Sequence, residues 1–373
     1  MTIQPRKLGF VVNPIAGMGG RVGLKGTDGE ETLRKAIALG AESTAPTRAK
    51  EALKVLGTVK DVIQLITYPH EMGENEAKEY SFNPTVIGSI TLGKTTAADT
   101  RKAVEDMIKL KADLIMFVGG DGTARNVYET AGEKVPVLGI PAGVKIHSAV
   151  FAVDPRAAAV TAIRFLFEGS PLREMEVLDV DEEAFREGRV SARLYGYMLT
   201  PYEPDLIQGT KIASPVTELE IRNQAAIAIR IIEEMEPDAV YIVGPGTTTR
   251  IIGDLLDENK TLLGVDLFYN KKLVAKDVDE ATILREIRGK KAWIIVTPIG
   301  GQGFIFGRGN LQISPKVVRD VGLDNIIVIA TKHKLGDLRR LRVDTGDSEL
   351  DSRLRGSKKV ITDYGREQII RVE

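Results

Sequence analysis

Asp121 stands between glycines in DLIMFVGGDGT, residues 113–123, where an apolar run ends in a turn and a segment of helical character begins. Gly119, Gly120 and Gly122 have no Cβ, so the chain can bend sharply there and a ligand can approach the backbone closely. The amides of such a turn, with the positive end of the following helix, suit a phosphate. A carboxylate in the same place repels phosphate unless it serves a metal, a ribose hydroxyl or a proton transfer. The same residues are also compatible with a plain strand-to-helix turn in which Asp121 caps the helix.

Other glycine loops carry similar chemistry. NPIAGMGGRVGLKG, residues 13–26, holds Arg21 and Lys25 with no acid before Asp28, an arrangement suited to phosphate. Its spacing fits neither GxGxxG nor GxxxxGK[ST]. PAGVKIHSAVFA, residues 141–152, brings Lys145, His147 and Ser148. GPGTTTR, residues 244–250, offers either an anion site or a helix cap. The chain has no cysteine, which removes disulfides and thiolate nucleophiles, and its three scattered histidines cannot build a His-based zinc cluster.

Elements that position these loops follow from hydrophobic periodicity. Strands are expected at Lys7–Val12, Asp61–Thr67, Leu114–Val118 and Val135–Ile140, with helices at Glu30–Leu39, Ala45–Leu56, Thr95–Leu110 and Ala124–Ala131. Strand and helix alternate as in a parallel sheet covered on both faces, whose ligands gather beyond the carboxyl ends of the strands. A helix at Asp154–Glu168 leads to a boundary at Pro171 and then to an antiparallel excursion, EMEVLDV and RVSARLYGYML, that opens a second domain. Strands at Val240–Val243, Thr261–Leu267, Trp293–Val296 and Asn325–Thr331 alternate with helices at Leu219–Met235, Val278–Ile287 and within Leu311–Val321. The charged stretch Asp344–Arg355 reads as a solvated turn or surface hairpin, with small strands beyond it.

The expected fold is therefore α/β: a Rossmann-like parallel-sheet domain at 1–170 carrying GGDGT, a mixed α/β or β-rich second domain at 171–345, and C-terminal strands at 346–373 packing back on the protein. A length of 373 residues exceeds a typical single core. With 51 basic and 52 acidic residues, bulk charge gives no support for a nucleic-acid-coating protein. The longest apolar stretches are strand-sized, and the N-terminus runs straight into a strand with no cleavage site, so no membrane partner and a cytoplasmic location are expected. The cysteine-free composition, rich in Ile, Val, Lys, Glu and Arg, hints at a thermophile.

The combination of NPIAGMGG at 13–20, GGDGT at 119–123 and PAG at 141–143 resembles the superfamily that joins NAD kinases with diacylglycerol and sphingosine kinases. TPIGG at 297–301 with FGRGNLQISP at 306–315 resembles a Thr-Pro-x-Gly stretch of NAD kinases. The nearest resemblance is to the archaeal and bacterial ATP-NAD kinase-like group, which includes proteins associated with acetoin catabolism. The resemblance implies that Asp121 orients or deprotonates the adenosine ribose 2′-hydroxyl of NAD, or helps hold Mg²⁺, while ATP or polyphosphate supplies the phosphoryl group. Phosphate and nucleotide binding would involve Asn13, Gly17, Gly19, Gly20, Arg21, Gly119, Gly120, Gly122, Thr123, Arg125, Asn126, Gly143 and Lys145. From the second domain Thr297, Pro298 and Gly300 would approach across an interdomain cleft, while Gly244, Gly246 and Thr247 of GPGTTTR are a further phosphate-site candidate from their residue types alone. Nucleotides would be the small-molecule partners, and a dimer or tetramer is implied. The chain departs from NAD kinases in lacking an Asn-Glu pair early in the second domain, where Asn223-Gln224 is a poor substitute, and in Gly301-Gln302. A nucleotide-binding regulatory protein and an enzyme acting on another phosphorylated metabolite or polyol are the alternatives.

Overall fold

A computed structural model describes residues 5–24, 30–143, 146–180, 192–203, 206–207, 218–299, 303–336 and 338–373. In chain order the first part runs β1 (Arg6–Val12), α1 (Glu30–Ala38), α2 (Ala45–Leu56), β2 (Ile63–Thr67), α3 (Glu74–Glu79), β3 (Thr85–Val86), α4 (Ala97–Lys109), β4 (Leu114–Gly119), α5 (Asp121–Ala131), β5 (Val137–Pro141) and α6 (Pro155–Glu168). The strands form one parallel sheet in the order β3-β2-β1-β4-β5. Strand β4, LIMFVG, is buried throughout, as expected of a strand covered on both faces. Its alternate residues serve opposite layers. Leu114, Met116 and Val118 pack with Ala49, Leu53 and Leu56 of α2 and with Ala158 and Ala162 of α6. Ile115 and Phe117 pack with Ala103 and Met107 of α4 and with Ala124 and Val127 of α5.

The strand order reverses between β1 and β4, so the loops leaving these two neighbours diverge and open a crevice at their carboxyl ends. The NPIAGMGG and GGDGT stretches are those two loops. Helix α5 begins at Asp121, three residues before the expected start at Ala124, because the glycine turn itself winds into the first helical turn.

An antiparallel hairpin follows, β6 (Leu172–Val180) with β7 (Ala192–Pro201). Expected to open the second domain, it packs on the first unit instead: Val177 and Met198 are buried with Phe117 and Val127.

The second part contains α7 (Glu218–Glu234), β8 (Ala239–Val243), α8 (Thr247–Leu255), β9 (Asp266–Tyr269), β10 (Lys272–Ala275), α9 (Glu280–Ile287), β11 (Lys291–Val296), β12 (Phe304–Phe306), α10 (Pro315–Val321), β13 (Ile326–Ile329), α11 (Lys332–Gly336), β14 (Arg342–Val343), α12 (Ser348–Leu354), β15 (Gly356–Asp363) and β16 (Arg366–Val372). A mixed sheet has the order β10-β9-β8-β11-β13-β15-β16. Strands β8, β11, β13 and β15 are parallel, and the β9–β10 hairpin and β16 attach antiparallel at the two sides. The order again reverses between β8 and β11.

Two expectations fail here. The strand placed at Thr261–Leu267 begins only at Asp266, whose side chain is held by the Thr261 N–H and hydroxyl and by the ammonium of buried Lys260. The stretch 344–355 is not a solvated turn. It contains α12, and Asp344, Thr345, Leu350, Asp351 and Leu354 are buried. Among the described residues no helix is long and apolar enough to cross a membrane.

Candidate active site

Asp121 is the first residue of α5, after Gly120 in extended conformation, but its side chain does not cap its own helix. It reaches the loop that follows β5. Oδ2 accepts the His147 N–H at 2.8 Å and lies 3.2 Å from His147 Nδ1, and Oδ1 accepts the Ser148 N–H at 2.9 Å. Ser148 is fixed in turn: its hydroxyl donates to the Leu178 carbonyl at 2.9 Å and accepts the Leu178 N–H at 3.0 Å. Loop and hairpin therefore set the rotamer of a carboxylate that is only 8% exposed. Among the described residues Oδ1 accepts one hydrogen bond, and a carboxylate oxygen has a second lone pair that can serve a hydroxyl or a metal-bound water.

The glycines are needed here for proximity. Gly119 and Gly120 are not in the left-handed region. A Cβ on Gly143 would lie 2.9 Å from the Gly120 Cα, and one on Gly119 would lie 2.3 Å from Thr123 Oγ1. Gly122 lies in the first turn of α5. Asn13 links the diverging loops. Its N–H donates to the Val118 carbonyl at 3.0 Å, its Nδ2 donates to Thr123 Oγ1 at 2.9 Å, and its Oδ1 accepts the Ile15 N–H at 3.3 Å. Gly17, at φ +82°, lies so close to Ala142 that a Cβ would come within 2.2 Å of its carbonyl oxygen. Asn13, Gly17, Gly119, Gly120, Thr123 and Gly143 thus converge around Asp121.

Other expected residues lie elsewhere or have other partners. The Arg125 guanidinium sits over the Tyr195 ring at 5.6 Å, and Asn126 accepts from Arg101 at 3.2 Å. The Gly19 carbonyl accepts the Leu24 N–H at 2.9 Å. A Cβ on Gly20 would meet Leu311 at 2.3 Å, and the Arg21 carbonyl accepts the Glu280 N–H at 3.2 Å. Those two contacts join the first glycine loop to the second unit. Lys25, Lys145 and Gly300 lie outside the described residues.

At the carboxyl ends of β8 and β11 a second pair of loops meets. The Gly244 N–H donates to the Ile295 carbonyl at 2.9 Å, and Gly246, at φ +134°, would press a Cβ to 2.6 Å from Thr297 Cγ2. Thr249, not Thr247, closes the turn, its hydroxyl lying 2.8 Å from the Gly244 carbonyl oxygen. Thr247 is exposed at the first position of α8. Thr297 is buried and accepts from Lys334 Nζ at 3.3 Å, and Pro298 follows it. Burial pushes the Lys334 amine down to about 8, with Glu220 opposing. Ile313 packs near Gly244 and Leu311 against Gly20, so one short segment touches glycine loops of both units.

A buried ionic cluster, not expected from the sequence, joins the units beside this segment. The Arg48 guanidinium of α2 pairs with the Asp344 carboxylate, and both side chains are under 10% exposed. Arg308 donates to the Val153 carbonyl at 2.8 Å and lies 3.5 Å from Asp344. Burial works against the charge on Arg48, yet Asp344 and Glu51 hold its pKa above the usual value. Burial pushes Arg308 down to about 10, with Asp344 opposing and Arg48 adding to the fall. Only the density of acids in DTGDSELD could have signalled that a distant cation is needed there.

Asn223, considered as half of a nucleotide-binding pair, is occupied within the second unit: it donates to the Thr362 carbonyl at 2.8 Å and accepts the Lys332 N–H at 3.0 Å.

No curated protein and no solved structure matches the chain significantly. Residues 8–169 match the family model of the ATP-NAD kinase N-terminal domain, and residues 237–372 match that of the ATP-NAD kinase C-terminal domain. With both parts of the molecule accounted for in this way, the chain belongs to the ATP-NAD kinase family and carries the fold of a kinase-type phosphotransferase.

Proposed function

We propose that the protein transfers the terminal phosphoryl group of ATP to the 2′-hydroxyl of the adenosine ribose of NAD, giving NADP and ADP. The observation that carries this reading is the Asp121 carboxylate, fixed by two backbone amides at the crevice between β1 and β4. Its Oδ1 accepts the hydroxyl proton as the ribose oxygen bonds to the γ-phosphorus and the bond from that phosphorus to the bridging oxygen of ADP breaks. The loops around Asn13, Gly119 and Gly143 let phosphate oxygens come close to the backbone. Thr297 and the Gly244–Thr247 turn approach the nucleotide from the second unit.

Among the described residues no group of three His, Cys, Asp or Glu is placed to hold an ion. The single Asp121 carboxylate is a donor of the kind Mg²⁺ uses in phosphoryl transfer, where one or two carboxylates are joined by the substrate phosphates and water. Asp121 would hold it, and the ion would offset charge on the transferring group. Nucleotides are then the partners, the cytoplasm is the expected compartment, and a dimer or tetramer is the expected assembly.

Incubation of the protein with Mg²⁺ and γ-labelled ATP or polyphosphate, against NAD, adenosine nucleotides and a panel of polyols and phosphosugars, tests the reading. Label is expected in NADP. Label in a polyol or phosphosugar alone would replace NAD as acceptor, and nucleotide binding without any transfer would make this a nucleotide-binding regulatory protein.

A further inference from the structure

His147 meets one oxygen of Asp121 twice. Its backbone N–H donates to Oδ2 at 2.8 Å, and its ring nitrogen Nδ1 lies 3.2 Å from the same oxygen. An ionised carboxylate only accepts, so the second contact is a hydrogen bond when Nδ1 carries a proton. Oδ1 accepts the Ser148 N–H at 2.9 Å. The two oxygens are therefore held unequally, with backbone and ring of His147 both on Oδ2 and the Ser148 amide on Oδ1.

The loop that presents the ring is anchored on both sides of it. Ile146 is buried with Phe117 of β4 and Val127 of α5. Ser148 is fully buried and its hydroxyl is held by both backbone groups of Leu178. The His147 side chain between them is 11% exposed. Packing within the first unit thus brings the ring to the carboxylate without help from a ligand.

We infer that His147 is a positioning residue for the transfer: its Nδ1–H engages Asp121 Oδ2, so that Oδ1 is the oxygen presented to the acceptor hydroxyl. With the ring removed, each oxygen keeps one backbone amide, the two become equivalent, and the carboxylate is free to tilt. A misplacement of about 1 Å at a reacting group is enough to slow a reaction about 10²-fold. The proton balance is that of the transfer itself: the hydroxyl proton passes to Oδ1, and the Nδ1 proton stays on the ring. The inference rests on the proposed transfer for what Asp121 does, whereas the Nδ1–H contact is independent of it.

One test compares kcat and KM of the wild type, His147→Ala, His147→Asn and His147→Gln, with labelled ATP and whichever acceptor takes label from the wild type. An asparagine amide puts its nitrogen where Nδ1 stands, and a glutamine amide puts it farther out, where Nε2 stands. The expected result is a kcat lower by about 10- to 100-fold in His147→Ala and His147→Gln, largely restored in His147→Asn, with KM for donor and acceptor unchanged. Unchanged thermal unfolding verifies that the variants are folded. Equal kcat throughout, a change in KM alone, or His147→Asn as slow as His147→Ala would overturn the inference. Nitrogen NMR of the imidazole rings reads the wild type directly, because the chain has only three histidines and the resonances lost in His147→Asn identify the ring. A protonated Nδ1 is expected, and an unprotonated Nδ1 would overturn the inference whatever the turnover. A wild type that labels no acceptor yet shows a protonated Nδ1 would refute the transfer while supporting the contact.

Discussion

At the scale of single residues, Asp121 acts through what its two oxygens accept. Both receive backbone N–H groups, so an amide in its place would point an NH₂ at another donor. Asp121→Asn is therefore expected to lose about 1–3 kcal/mol of stability in urea unfolding, as a buried donor is left unmatched. Gly143→Ala is expected to act differently. Its Cβ would lie 2.9 Å from the Gly120 Cα, and backbone there has no flexible end to move aside. The two loops must separate, at a cost of about 1–3 kcal/mol, and nucleotide affinity should fall with stability when both are measured.

Lys334 supplies a pH test at the same scale. Burial pushes its pKa from 10.5 down to about 8, so between these values the unfolded chain binds a proton that the folded chain has released. Stability therefore rises as pH increases from about 8 to 10.5, and the penalty is fully present below about 8. Thermal unfolding over that window should show a rise that Lys334→Met flattens by on the order of 3 kcal/mol.

At the scale of elements, local pattern carried much of the structure. The apolar run before Gly119, the helical spacing in 97–109 and the Pro-containing start of α2 each follow from neighbours within a turn or two, and these elements lie where the sequence put them. The failures come from partners far along the chain. The stretch Asp344–Arg355 looks solvated because its charges are dense, but Arg48, 296 residues upstream, neutralises Asp344 and allows burial. TLLGVDL looks like one strand, yet Asp266 is drawn to Thr261 and Lys260, which folds the preceding residues into a turn. The site divides in the same way. The GGDGT turn was legible because glycine and acid are adjacent in sequence, and the Asn13 loop because its glycines follow a strand directly. That the Asp121 carboxylate is held by the His147 and Ser148 amides, and not by its own helix, depends on loop packing that no spacing rule encodes.

At the scale of the whole molecule, two α/β units are held so that segment 311–313 touches glycine loops of both, with the Arg48, Asp344 and Arg308 cluster fixing them beside it. Removing the carboxylate leaves two buried guanidinium groups without their shared counter-charge. Asp344→Ala is therefore expected to cost about 3–5 kcal/mol and to split one calorimetric transition into two. A single transition at the original temperature would show that the cluster does not couple the units. Oligomeric state, expected to be a dimer or tetramer, is read by light scattering.

The most direct measurement is single-turnover transfer from γ-labelled ATP to NAD by the wild type and by Asp121→Ala, each confirmed folded and nucleotide-bound. The expected result is labelled NADP from the wild type and a rate about 10²–10⁴-fold lower from the variant with ATP binding retained. Equal rates from the two proteins would contradict the role given to the Asp121 carboxylate.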